Sequence, residues 1–186
     1  MIFLLVQITY ASPDFADKRH RIGVSNPWTE YIKFLPQSVV LPTTYNDEEK
    51  ELLRGTSLKT AVDAKDAALE REFDHLRQCT ESVPWCQEYW WDEETGKLVI
   101  DDWRYVDAVY RSRMMDLPEI GHAMVPCIDM VNHASGEGAN ALYERDDEGG
   151  AVLQLLSGKK LHTGEEVTIS YDILGRLPFS LLHATV

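Results

Sequence analysis

Asp129, Asn132 and His133 fall within five positions in the run Val125-Pro126-Cys127-Ile128-Asp129-Met130-Val131-Asn132-His133. A carboxylate, an amide and an imidazole thus sit together at a predicted strand-to-loop transition, where backbone donors and acceptors are left for a ligand. The same residue types also serve a purely structural end, because Asp and Asn side chains hydrogen-bond the backbone of a buried turn. A metal reading would take Asp129 and His133 as ligands, yet no second histidine or cysteine pair of suitable spacing accompanies them. His75 and Cys79 lie four apart on one predicted helix face and are two ligands short of a site. Arg113, following Ser112 at a predicted helix end, either complements the helix dipole or grips a carboxylate with its planar fork. Tyr171 closes the stretch Gly164-Glu165-Glu166-Val167-Thr168-Ile169-Ser170-Tyr171, where a tyrosine is more often a core or interface residue than a catalyst. The chain has no G-x-S-x-G elbow, Walker loop or Rossmann glycine pattern.

These residues need elements to hold them. Ile2 to Tyr10 reads as a buried helix stopped at Ser12-Pro13, since proline disfavours the helical region for its predecessor. Ser25-Asn26-Pro27 starts a short helix that puts Trp28, Tyr31 and Ile32 on one face before Leu35-Pro36. Asn46 or Asp47 caps an acidic helix running to Leu53 and ended by Gly55. The longest helix is predicted from Ser57 to about Gln78, with Leu58, Val62, Leu69, Phe73 and Leu76 in phase. Trp85 to Trp91 is too aromatic for an idle linker, and a Glu94-Thr95-Gly96 turn follows. Asp101 or Asp102 then caps a helix that turns Trp103, Val106, Val109 and Tyr110 inward and ends near Met115. Beyond Gly121 the texture becomes β-rich. Ala139 to Arg145 and Ala151 to Leu156 read as a hairpin around Gly149-Gly150, and Val167, Ile169 and Tyr171 share a strand face. A helical first two-thirds and a β-rich last third predict an α+β domain.

At 186 residues the chain suits one domain. Its 18 basic and 31 acidic side chains give a net charge of −13, which repels phosphate backbones and anionic lipid and predicts neither nucleic acid nor membrane as a partner. The apolar run Ile2 to Val6 is far shorter than the ~20 residues of a membrane span. Cys79, Cys86 and Cys127 make an odd set without CxxC spacing, so a reducing compartment, cytoplasmic or nuclear, is expected.

Order and spacing change the weight of these signals. Gly23-Val24-Ser25-Asn26-Pro27-Trp28-Thr29-Glu30-Tyr31-Ile32-Lys33-Phe34-Leu35-Pro36, then Leu53-Arg54-Gly55-Thr56, then Ser112-Arg113, follow one another along the chain. Val125-Pro126 with Asp129 and Asn132-His133, and Gly164-Glu165-Glu166 with Tyr171, complete the series. Together they resemble SET-domain protein lysine methyltransferases of the split-SET group, typified by the Rubisco large-subunit methyltransferase, over about residue 2 to Tyr171. The resemblance implies small β-sheets packed around Asn132-His133 and a helical insertion at about residues 47–116. It implies a C-terminal SET region at about residues 121–172 of a single partial domain covering 1–186. The family's N-terminal segment, with its glycine-rich loop, is expected ahead of the first helix. Its aromatic-Gly-Phe ending is not matched by Asp172-Ile173-Leu174-Gly175-Arg176-Leu177-Pro178-Phe179.

By the same resemblance the cofactor is S-adenosylmethionine and the partner a protein carrying a target lysine. Asn132 and His133 would hold the adenosine portion, Arg113 the carboxylate, and Asp129 would brace the turn. Tyr171 would be catalytic, its hydroxyl beside the methyl-transfer point. The alternative is a non-catalytic SET-like module that binds a protein through its acidic surface and aromatic segment.

Overall fold

In the computed structural model, which describes residues 1–12, 27–92, 94, 98–117, 120–146 and 148–171, the first apolar run is helix α1 (Ile2–Ala11). It buries Leu4, Leu5, Gln7 and Tyr10, and Ser12 leaves the helical region at φ −59° and ψ 138°. Helix α2 (Pro27–Ile32) buries Ile32, but Trp28 is exposed and meets Phe3 edge-on at 6.4 Å, so Trp28 and Ile32 do not share a buried face. The start expected at Ser25-Asn26 lies outside the described residues, as do Pro13, Thr95-Gly96, Pro118 and residues 172–186.

Helix α3 (Asp47–Glu51) begins with a reciprocal cap: Asn46 Oδ1 accepts from Glu49 N–H, and Glu49 Oε2 accepts from Asn46 N–H, each at 2.9 Å. Gly55 ends the following turn at φ +80°, a backbone conformation that suits glycine. Thr56 caps α4 (Ser57–Thr80), whose Val62, Leu69 and Leu76 are buried. Leu58, expected with them, lies in the first turn and is exposed.

A helical turn, Pro84–Cys86, runs into a π-helical turn, Gln87–Trp91. The wider turn brings both indole donors to hydroxyls, Trp90 Nε1 to Thr9 Oγ1 and Trp91 Nε1 to Thr80 Oγ1, each at 3.0 Å. Trp85 packs on Tyr10 at 5.5 Å and on Trp90 at 5.1 Å, and Phe73 on Trp91 at 5.7 Å. The aromatic segment is therefore core, stabilised by the buried rings of Trp90 and Trp91, whose indole donors both meet hydroxyls.

Helix α5 (Ile100–Arg113) buries Trp103, Val106 and Val109, with Tyr110 half-buried. Asp101 and Asp102 lie inside its first turn and not before it; Asp102 reaches back to accept from Val99 N–H at 2.8 Å. Asp107 is 1% exposed and holds Lys65 at 3.0 Å and Arg111 at 3.3 Å. The helix ends at Arg113, because Met115 already belongs to a strand.

Contacts group the chain into two units, Met1–Ser112 and Arg113–Val186. In the second, β1 (Met115–Leu117) pairs antiparallel with β2 (Gly121–Ala123). A four-stranded sheet has the order β3-β6-β4-β5, made of β3 (Asn132–His133), β4 (Ala141–Arg145), β5 (Ala151–Leu155) and β6 (Thr168–Ile169). The hairpin β4–β5 has the expected turn: Asp146 Oδ1 accepts from Glu148 N–H at 3.0 Å and Gly150 N–H at 2.6 Å, with Gly149 at φ +86°. Strand β6 is shorter than its alternation predicts. Ile169 is 1% exposed while Tyr171 is 60% exposed, so the two do not line one buried face. Among the described residues no helix is long and apolar enough to cross a membrane.

Candidate active site

Parallel pairing of β3 with β6 sets Asn132 opposite Thr168 and His133 opposite Ile169. Ala134 N–H continues the ladder to Ile169 C=O at 2.9 Å. Tyr171 follows β6 by two residues, and its main chain and side chain both turn back onto β3. Its N–H donates to His133 Nδ1 at 2.9 Å, and its hydroxyl donates to the Val131 carbonyl at 2.7 Å. The two rings lie 5.1 Å apart at 45°. Since His133 Nδ1 accepts, the imidazole is the neutral tautomer with its proton on Nε2, which faces Ser135 Oγ at 3.0 Å. Both nitrogens of His133 are thus engaged in hydrogen bonds, and no three His, Cys, Asp or Glu side chains gather for a metal among the described residues.

The 3₁₀ turn Ile128–Met130 precedes β3 and carries Asp129, whose side chain is fully buried. Asp129 N–H donates to Val125 C=O at 2.9 Å. Arg113 Nη1 donates to the Asp129 carbonyl at 3.2 Å and lies 3.6 Å from its carboxylate. Arg113 Nε is buried with no hydrogen-bond partner among the described residues, an unmet donor that an anionic group would satisfy. Cys127 enters this turn at φ +73°, an uncommon conformation for a residue other than glycine.

Asn132 Nδ2 donates to Glu166 Oε1 at 2.6 Å. Asn140, just before β4, holds the Glu166–Thr168 segment: its Nδ2 donates to Glu166 C=O at 2.9 Å and its Oδ1 accepts from Thr168 N–H at 2.9 Å. Nearby in the unit, Tyr143 donates to Asp116 C=O at 3.2 Å, and burial, then the Asp116 charge, push its phenol pKa up.

In the second unit Arg113 is bonded to Asp129 and Tyr171 to Val131 and His133, so both meet the continuous run 129–133 that also carries Asn132. Glu166 and Asn140 carried no role in the sequence. Glu166 stood in the Gly164-Glu165-Glu166 run, and only its proximity to Asn132 across a parallel pair marks it. His75 and Cys79 are in contact at 3.5 Å, but on the exposed side of α4 in the other unit.

Known protein-family models give no match to the chain. Among characterised proteins it is 29% identical over 147 residues to SET domain-containing protein 8 of Schizosaccharomyces pombe, covering 79% of this chain and 31% of that protein. It is 28% identical over 171 residues to the chloroplastic Rubisco large subunit N-methyltransferase of Pisum sativum, covering 83% and 32%. Against the actin-histidine N-methyltransferase of Danio rerio the identity is 23% over 164 residues, covering 86% and 26%. The chain spans about a third of the length of the first two relatives. A solved SET domain of LSMT bound to lysine and AdoHcy superposes with a TM-score of 0.61 at 24% identity, covering 83% of this chain and 34% of that one.

Proposed function

We propose that this chain, which carries the SET-domain fold and is related in sequence to SET-domain methyltransferases, forms part of an S-adenosylmethionine-dependent protein-lysine N-methyltransferase. The observation that carries the reading is the closure of Tyr171 onto Val131 and His133, which puts a phenol beside an exposed asparagine–histidine pair on a short strand. The donor set suits an amino-acid nucleoside: a buried arginine nitrogen lacking a partner among the described residues, an asparagine amide, and backbone groups at a strand end.

Bound S-adenosylmethionine would supply an electrophilic methyl on a sulfonium. The chain's part is then alignment, which is where most of the rate of such a displacement is gained. Arg113 would offer Nε to the carboxylate while Nη1 keeps hold of the Asp129 turn. Asn132 and His133 would take the adenosine portion, with the His133 ring already fixed by its two hydrogen bonds. Tyr171 directs its O–H at the Val131 carbonyl, so its oxygen is left to accept. That polarity suits the N–H of an incoming lysine amine, and holding the N–H turns the nitrogen lone pair toward the methyl carbon. A free lysine has a pKa near ~10.4, so the amine must also arrive neutral. Bound there, the donor would supply its methyl to that lone pair and leave as S-adenosylhomocysteine, and the proton shed by the amine would pass to solvent.

The test is methyl transfer from tritiated S-adenosylmethionine to a mixture of basic proteins, followed by amino-acid analysis. Methyl-lysine is the expected product, and Tyr171→Phe should cut its formation sharply while cofactor binding persists. Methyl-histidine as the product would shift the substrate class. No transfer and no cofactor binding would instead support the non-catalytic protein-binding module.

A further inference from the structure

We propose that Glu166 is a positioning residue of this site, one that fixes the Asn132 side-chain amide so that its carbonyl oxygen is presented to a hydrogen-bond donor of the bound nucleoside. The proposal rests on the methyl-donor reading above and assigns a task to a residue that reading does not use.

A carboxylate can only accept, so the group facing Glu166 Oε1 at 2.6 Å must be the amide nitrogen of Asn132. That removes the two-fold ambiguity of the amide and leaves Asn132 Oδ1 directed away from Glu166. Glu166 can impose this orientation because its own backbone is held. Its carbonyl accepts from Asn140 Nδ2 at 2.9 Å. Asn140 Oδ1 and N–H in turn bracket Thr168, through Thr168 N–H at 2.9 Å and Thr168 C=O at 3.1 Å. Thr168 Oγ1 completes the clamp on the Gly138 carbonyl at 2.9 Å. Thr168 is also the register partner of Asn132. The carboxylate therefore reaches Asn132 from a fixed point two residues before the position opposite it.

Both side chains are exposed, and an exposed charged contact contributes little to folding. Its consequence is conformational: an asparagine held in one rotamer and one flip binds a donor without first being ordered. Releasing it should weaken binding by about five- to tenfold, the cost of immobilising one polar side chain.

Titration calorimetry of the full chain with S-adenosylhomocysteine reads this directly. Glu166→Ala should weaken binding by about five- to tenfold, and Glu166→Gln, which keeps an acceptor and loses the charge, should restore it to within about threefold of the parent. In an Asn132→Ala background, Glu166→Ala should add nothing. A second readout needs no ligand: in the ¹H–¹⁵N spectrum the Asn132 side-chain amide should lie downfield and move to the position of a solvated amide in Glu166→Ala. Parent-like binding by Glu166→Ala overturns the proposal. So does equal weakening in the alanine and glutamine variants, which would mean that the charge acts through space. A parent chain that binds no S-adenosylhomocysteine refutes the methyl-donor reading instead, and an Asn132 amide unmoved by Glu166→Ala then also refutes the pairing.

Discussion

The helical unit, Met1–Ser112, and the strand-and-loop unit, Arg113–Val186, are held by different kinds of force. In the first, Leu5, Leu69, Val106 and Val109 are essentially inaccessible to water, and three tryptophans are buried beside them. In the second, the buried apolar residues among those described are Leu117, Ala139, Ala141 and Ile169, a small set for so many strands. Its strands are joined by directional polar contacts: Tyr171 on Val131 and His133, Asn140 on Glu166 and Thr168, Asn132 on Glu166, Arg113 on Asp129. Apolar burial is roughly proportional to area and indifferent to angle, whereas hydrogen bonds fix both distance and direction. The proposed site, which would have to align two reacting groups, belongs in the second kind of structure.

That contrast can be broken by substitution. Leu69→Ala should have the largest effect on stability, about 3 kcal/mol in urea denaturation, because it empties a fully buried position on α4. A loss below about 1 kcal/mol would mean that the helical unit does not depend on its apolar stripe. Arg113→Ala should cost about 2 kcal/mol, since it strips a guanidinium from a carboxylate whose side chain is wholly buried. Arg113→Lys should recover only part of this, keeping the charge without the fork. Asn46→Ala should cost about 1 kcal/mol by opening the α3 cap, and thermal melting should show it.

The smallest effect is the one with pH. Burial pushes the Cys86 thiol above its ordinary 9.0 and the Tyr10 and Tyr143 phenols above their ordinary 10.0. The folded chain therefore keeps these protons after the unfolded chain has lost them, and stability falls as pH rises through about 9 and beyond. At pH 8 a thiol reagent should label the exposed Cys79 and Cys127 quickly and Cys86 only on unfolding. Simultaneous labelling of all three would show that the helical core opens readily.

The sequence carried the local features well. The span of α4 is legible because Val62, Leu69 and Leu76 keep helical phase over about four turns, and the β4–β5 hairpin because Asp146 and Gly149-Gly150 supply the turn chemistry. The grouping of Asp129, Asn132 and His133 is visible as spacing alone. What was not legible depends on partners far along the chain. Strands β3 and β6 have two residues each and pair in parallel across 36 positions, too short for alternation to announce them. The reach of Tyr171 to Val131 spans 40 positions, and that of Glu166 to Asn132 spans 34. β1 and β2 have three residues each, too short for alternation to mark them, and the helix expected to end near Met115 stops at Arg113, short of the first residue of β1. Asp102 differs for another reason: a carboxylate within the first turn can reach back to the capping position, so acidic residues near a helix start do not mark its first residue uniquely.

The central claim is that one connected polar stretch of the second unit receives the methyl donor. Titration of the ¹⁵N-labelled chain with S-adenosylhomocysteine, followed residue by residue, tests it most directly. The account predicts that the shifts concentrate at Arg113, at Asp129 to His133 and at Tyr171, with residues 27–92 undisturbed. Saturable shifts confined to the helical unit, or none at millimolar ligand, would contradict it.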